Sequence, residues 1–194
     1  MSQTRQSLID AACFIAKQEG IDQDVVADVL LPRVFYHVVK QAAANPARRA
    51  LVMVTNTVAL VNGTIALPTT ILTEFMRFAA VSDPIGATMA NKMRYVANWN
   101  EFIRPLDLTL GYFTVVQLAG ASQFYMTRPG TAYTPGAGYT GSIDIIVPTI
   151  PTIPAAAATA IACNGEIEDD LVLALAAALK GGWMDVVANK GAAA

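Results

Sequence analysis

Over residues 4–18 the apolar positions Leu8, Ile9, Ala12, Cys13, Ile15 and Ala16 recur at three- and four-residue steps, which predicts an amphipathic helix stopped by Gly20. A second helical stretch opens after Asp22, with acids in its first turn and Val25, Val26, Val29 and Leu30 as its apolar positions. Pro32 has no amide hydrogen, so it either kinks this helix or starts a new one over residues 33–45, which Pro46 ends. Two or three helices therefore occupy the first 45 residues.

Beyond Arg48 and Arg49 the period shortens. Residues 51–55 and 57–61 are β-branched and apolar, and Asn62-Gly63 separates them from Thr64-Ile65-Ala66-Leu67, which predicts a hairpin. Pro68 closes that strand, residues 69–77 suit a short helix or turn, and residues 78–81 read as a strand ended by Ser82-Asp83-Pro84. Residues 94–96 follow, then a loop at 98–100 and a short segment at 102–104 that Pro105 terminates. Residues 112–118 and 123–127 alternate and are joined by Ala119-Gly120-Ala121-Ser122, a second hairpin. Residues 128–141 are mostly Gly, Pro, Thr and Tyr and predict a loop that is exposed or ordered by a partner. Residues 143–147 form another strand, and Pro148, Pro151 and Pro154 impose an extended connector.

Residues 155–162 bridge to Asn164, after which Glu166, Glu168, Asp169 and Asp170 open a helix with acids at its positive end. Leu171, Leu173, Leu175 and Leu179, spaced by alanines, make this helix apolar nearly all round until Gly181-Gly182. The tail beyond has one apolar element, Trp183, Met184, Val186 and Val187. Helices, then a β core, then a helix make the fold class α+β, with no solenoid-type repeat.

Composition adds a constraint that the pattern alone does not carry. Only 14% of the 194 residues are charged and 54% are hydrophobic, with a mean hydropathy of +0.43, against about 25% charged in an ordinary soluble domain. Disorder over the whole chain is excluded, and a free monomer with so little surface charge would be sticky. No stretch approaches the roughly 18 uninterrupted apolar residues of a spanning helix, so no membrane partner is expected and the surplus apolar surface is assigned to an assembly. Residues 1–10 lack the apolar core of a signal peptide, which points to a protein made and used in a cytosol. A formal net charge of −2 gives no footprint for tight nucleic-acid binding.

Candidate chemistry is sparse. His37, the single histidine, stands between Tyr36 and Val38 and cannot form a multi-histidine metal site. Cys13 and Cys163 match no metal-ligand spacing and read as small buried thiols. The spacing of Ser, Cys and His leaves a triad open, but there is no Gly-x-Ser-x-Gly elbow, and nucleophilic catalysis is not expected. Glu166, Glu168, Asp169 and Asp170 have the chemistry to hold Mg²⁺ or form an acid/base pair, but at the start of a helix such acids are explained by the helix dipole and solvation. Gly136-Ala137-Gly138 lacks the Gly-Lys-Ser/Thr of a phosphate loop. Trp99, Phe102, Tyr112, Phe113, Phe124 and Tyr125 lie on or beside β segments with few Lys or Arg between them, which suits a core rather than a base-stacking platform. No enzyme and no cofactor are expected.

The order of local patterns is more specific. Asn62-Gly63-Thr64-Ile65-Ala66-Leu67-Pro68 is followed by a segment spaced Arg77-x-x-x-Val81, by Trp99-Asn100-Glu101-Phe102, by Gly111-Tyr112-Phe113-Thr114-Val115, and by Gly141-Ser142-Ile143-Asp144-Ile145-Ile146-Val147-Pro148. This succession resembles the head-to-tail adaptor (connector) proteins of tailed bacteriophages over residues 62–154, with the helix at 166–180 as a further element. The long loop at 128–141 and the very apolar C-terminal helix depart from that pattern.

The resemblance implies an α+β fold in which N-terminal helices and a C-terminal helix form a helical bundle with an antiparallel β-rich insertion between them. Its parts would be residues 1–48, the β-rich core at 49–154, the completing helix at 155–181 and a flexible arm at 182–194. It implies a virion protein of the neck, a homo-oligomeric and dodecameric ring between portal protein and tail tube or nozzle protein, through which DNA passes. On this expectation Trp183, Met184, Val186 and Val187 dock the portal, and Leu171, Leu175 and Leu179 pack neighbouring subunits. The competing expectations are another virion component, a tail completion or capsid cement protein, and a small enzyme with a carboxylate site at residues 166–170.

Overall fold

Thr4 caps the first helix. Its hydroxyl oxygen accepts from the Ser7 amide at 3.1 Å, and α1 runs Arg5–Ala16. The helix stops four residues before Gly20, because Lys17 takes a left-handed conformation and its amide donates back to Cys13 and Phe14 carbonyls. The computed structural model describes residues 3–18, 20–82 and 93–181. It divides into two compact units, Met53–Thr149 and the flanking Met1–Val52 with Ile150–Ala194.

In the flanking unit Asp22 caps a short α2, Gln23–Val25, by accepting from the Asp24 and Val25 amides. Pro32 then acts on the turn before it. A proline ring crowds the carbonyl four residues earlier, and Val26–Leu30 widens into a π turn in which the Leu31 amide reaches the Val26 carbonyl, five residues back. The chain recovers as α3, Leu31–Ala44, with Pro32 in its first turn. Asn164 caps α5, Gly165–Lys180, through the Glu166 amide at 2.9 Å. α5 packs on both α1 and α3, and Leu8, Ile9, Leu30, Leu31, Phe35, Val39, Leu171 and Leu175 are fully or almost fully buried there. Burying each such side chain contributes roughly 1.5–3 kcal/mol.

The Met53–Thr149 unit holds two sheets. The first is ordered β1-β7-β3, from Met53–Leu60, Gly141–Pro148 and Ala80–Ser82, with both pairings antiparallel. The second is ordered β2-β6-β5-β4, from Thr64–Ala66, Ala121–Met126, Gly111–Leu118 and Met93–Tyr95. Ile143, Ile145 and Val147 of β7 point inward at alternate positions and meet Phe113, Phe124 and Met126 of the second sheet in one core. A smaller cluster gathers Val96, Phe102 and Tyr112.

The architecture is α+β, and it corrects the expectation in three places. Helices are not confined to the ends, because α4, Trp99–Ile103, lies inside the β-rich stretch, as does the 3₁₀ turn at Thr73–Phe78 that residues 69–77 suit. The insertion is not wholly antiparallel: β4 runs parallel to β5. The connection through α4 supplies the crossover that a parallel pair needs.

The third correction concerns Asn62-Gly63. Both residues take positive φ, +52° and +75°, as a tight primed turn demands. Val61 and Thr64 exchange two 3.1 Å hydrogen bonds, but pairing ends there, because β1 continues beside β7 and β2 beside β6. The turn therefore hands the chain from one sheet to the other. The Ala119-Gly120 hairpin forms as β5 and β6, with Ser122 already in the strand.

Candidate interaction surface

α5 presents two faces to different surroundings. Leu171, Leu175 and Leu179 are at most 3% exposed, so these three fill the helical unit's own interior and leave no side-chain surface for a neighbouring subunit. The outward position is Leu173, 60% exposed. Beside it Ala174, Ala177 and Ala178, at three- and four-residue spacing, form one wall of a groove whose other wall is Val34 and Val38 of α3. Small side chains on α5 give the groove its depth, and its volume is about 550 Å³. His37 and Gln41 supply its polar lip, and Gly181 stands at its end.

A second recess of about 350 Å³ continues along the same two helices, sharing Val38, Gln41 and Ala174 and reaching Arg48, Asp170 and Leu173. Arg48 and Asp170, both in its lining, form an ion pair at 2.5 Å. Arg49 helps hold this corner by donating from Nε to the Ala43 carbonyl at 2.8 Å. His37 is exposed, and its ring meets Tyr36 edge-on at 5.6 Å.

The acidic cluster does not converge. Glu168 is buried and accepts the Gln3 amide on Oε2 at 3.2 Å, whereas Asp170 turns to Arg48. Among the described residues no group of three His, Cys, Asp or Glu side chains gathers in a way that could hold a metal ion. Cys13 and Cys163 are both free and only partly buried. Burial, and then the neighbouring Glu168 carboxylate, push the Cys163 thiol up to about 12. Cys13 is raised as well, by burial and then by Asp10.

In the β unit, Trp99, Phe102, Tyr125 and Tyr133 form a ring cluster with centroids 5.0–6.5 Å apart. Tyr133 comes from the Gly/Pro/Tyr loop, so part of that loop is anchored within its own unit. Burial, and then Tyr125, raise the Tyr133 hydroxyl above its ordinary value. The rings sit against one another, and this spacing is that of a packed cluster rather than of a cage around a cation. Arg128 stacks on Tyr139 at 3.7 Å beside a recess of about 240 Å³.

The expected arm residues Trp183, Met184, Val186 and Val187 lie outside the described residues. Val34, Val38, Ala174, Ala177 and Ala178 are groove walls that the sequence alone does not single out. The signal is present in the alanine spacing of α5, but only the packing of α3 shows which face the described residues leave open. No helix among the described residues is long and apolar enough to cross a membrane. No protein-family model matches the chain, and no curated protein matches it in sequence.

Proposed function

We propose that this chain is a structural subunit of a virion, a ring adaptor seated between the portal and the tail tube or nozzle of a tailed bacteriophage. The observation that carries an assembly role is the apolar strip that the described residues leave open on the helical unit, Leu173 with the alanine-walled groove, in a chain that is 14% charged. An apolar strip of that kind on a low-charge chain suits contact with protein. The succession of short motifs from Asn62 to Pro148 favours the adaptor class in particular.

In this reading the helices act as a bundle that forms the body of a dodecameric ring, and the β unit faces the next tail component. Residues 182–194 form the arm that meets the portal, with Trp183, Met184, Val186 and Val187 as its anchors, since aromatic and apolar residues dominate interface energetics. A subunit with a net charge of −2 lets DNA pass without being held by its phosphates. The role assigns no catalytic residue and no cofactor.

Negative-stain imaging and sedimentation of the full chain, alone and mixed with portal protein, test the reading. Rings that seat on the portal are expected. A chain that stays monomeric in both samples overturns it.

A further inference from the structure

The groove between α3 and α5 has an occupant available in the same chain. Gly181 caps the end of α5 and is part of the groove lining, so the helix ends at the rim of the apolar recess. Thirteen residues follow, and their bulky apolar side chains come early in that run, in Trp183, Met184, Val186 and Val187. Two consecutive glycines, Gly181 and Gly182, precede that run, and glycine accepts the backbone conformations that a tight reversal needs.

The reach is sufficient. From Gly181 back to Ala174 the helix rises about 10 Å, and the five residues 183–187 span up to about 16 Å when extended. A recess of about 550 Å³ lies within the range of roughly 300–1,000 Å³ that receives compact apolar ligands. The groove walls are Val and Ala with no charged side chain, which matches an indole and aliphatic groups, while His37 and Gln41 at the lip can satisfy backbone amides or carbonyls of an incoming segment.

We propose that residues 183–187 fold back over Gly181-Gly182 and seat in the α3–α5 groove of the same chain, with Trp183 as the anchor. The proposal concerns the chain before assembly: on meeting the portal the arm would leave the groove and free its apolar walls. It does not rest on the ring reading, so a monomeric chain passes or fails it independently.

The chain contains two tryptophans, and Trp99→Phe in the full-length protein leaves Trp183 as the single indole emitter. Fluorescence at low protein concentration is expected to show a blue-shifted emission and a several-fold lower acrylamide quenching constant than free N-acetyltryptophanamide. Ala177→Arg, at an exposed position of the groove wall, is expected to move both readouts to solvent values with the far-ultraviolet circular dichroism unchanged. Solvent-like emission and free quenching in the Trp99→Phe protein overturn the proposal, as does a protected signal that Ala177→Arg leaves intact. Protection that appears only as protein concentration rises assigns the groove to a second copy and also overturns it. Should Trp99→Phe not fold, ¹⁹F NMR of the 5-fluorotryptophan-labelled parent chain reads the same site, with the Trp183 resonance assigned by Trp183→Phe. A buried, broadened resonance supports the proposal and a sharp solvent-exposed one overturns it.

Discussion

Glu168 and Cys163 show what one residue's surroundings do to its chemistry. Cys163 Sγ lies 3.9 Å from Glu168 Oε1, and burial together with that carboxylate holds the thiol up to about 12 against an ordinary value of 9.0. The thiolate is the reactive species, so Cys163 in the native protein is expected to resist iodoacetamide at pH 8 and to react freely in urea, with labelling followed by mass spectrometry. Glu168→Gln removes the smaller of the two main causes and is expected to speed native labelling without restoring the unfolded rate. The same shift has a consequence for stability. The folded state holds the Cys163 proton more tightly than the unfolded chain, so this contribution is fully present below about pH 9 and is lost between about 9 and 12. Urea titrations across that window are expected to show a shallower alkaline loss in Cys163→Ala than in the parent chain. The sequence identified Glu168 as one of four acids at a helix start, but could not show that it alone is buried, because that depends on Gln3 lying across the first turn of α5.

Elements were legible where local chemistry and packing agree. α1 and β7 have clear periods, α5 has clear ends, and Asp22 and Asn164 cap the helices that follow them. The misread element is the Asn62-Gly63 hairpin, and the reason is informative. Turn chemistry acts over four residues and fixes local backbone geometry, whereas strand pairing is decided by which neighbours bury the flanking side chains. Here β7 and β6 are those neighbours, and they lie in different sheets. Gly63 is further constrained, since a Cβ there would lie 2.8 Å from the Met126 carbonyl oxygen, while one at Gly120, also at positive φ, would meet nothing within 4 Å. Gly63→Ala is therefore expected to lower unfolding free energy by about 1–3 kcal/mol, and Gly120→Ala by distinctly less, as read from urea midpoints.

At the scale of the whole molecule, the question is where apolar surface goes. Leu171 is buried inside the chain and Leu173 is exposed, two positions apart on one helix. Leu171→Ala is expected to cost about 2–5 kcal/mol of stability at every protein concentration. Leu173→Glu is expected to leave the unfolding midpoint of the dilute chain nearly unchanged while shifting sedimentation toward smaller species. Equal effects of both changes on folding would remove the distinction between core and assembly surface on α5. By itself the sequence determined the α+β class, most helix and strand positions and the surplus of apolar residues over charge, because periodicity, capping and composition are properties of short windows and of sums. Only the tertiary structure decided which strands share a sheet, that β4 runs parallel, which acid is buried, and which face of an almost uniformly apolar helix remains open. Those outcomes depend on partners far apart in sequence, and a helix with leucine and alanine on every side does not specify which side its neighbours will cover.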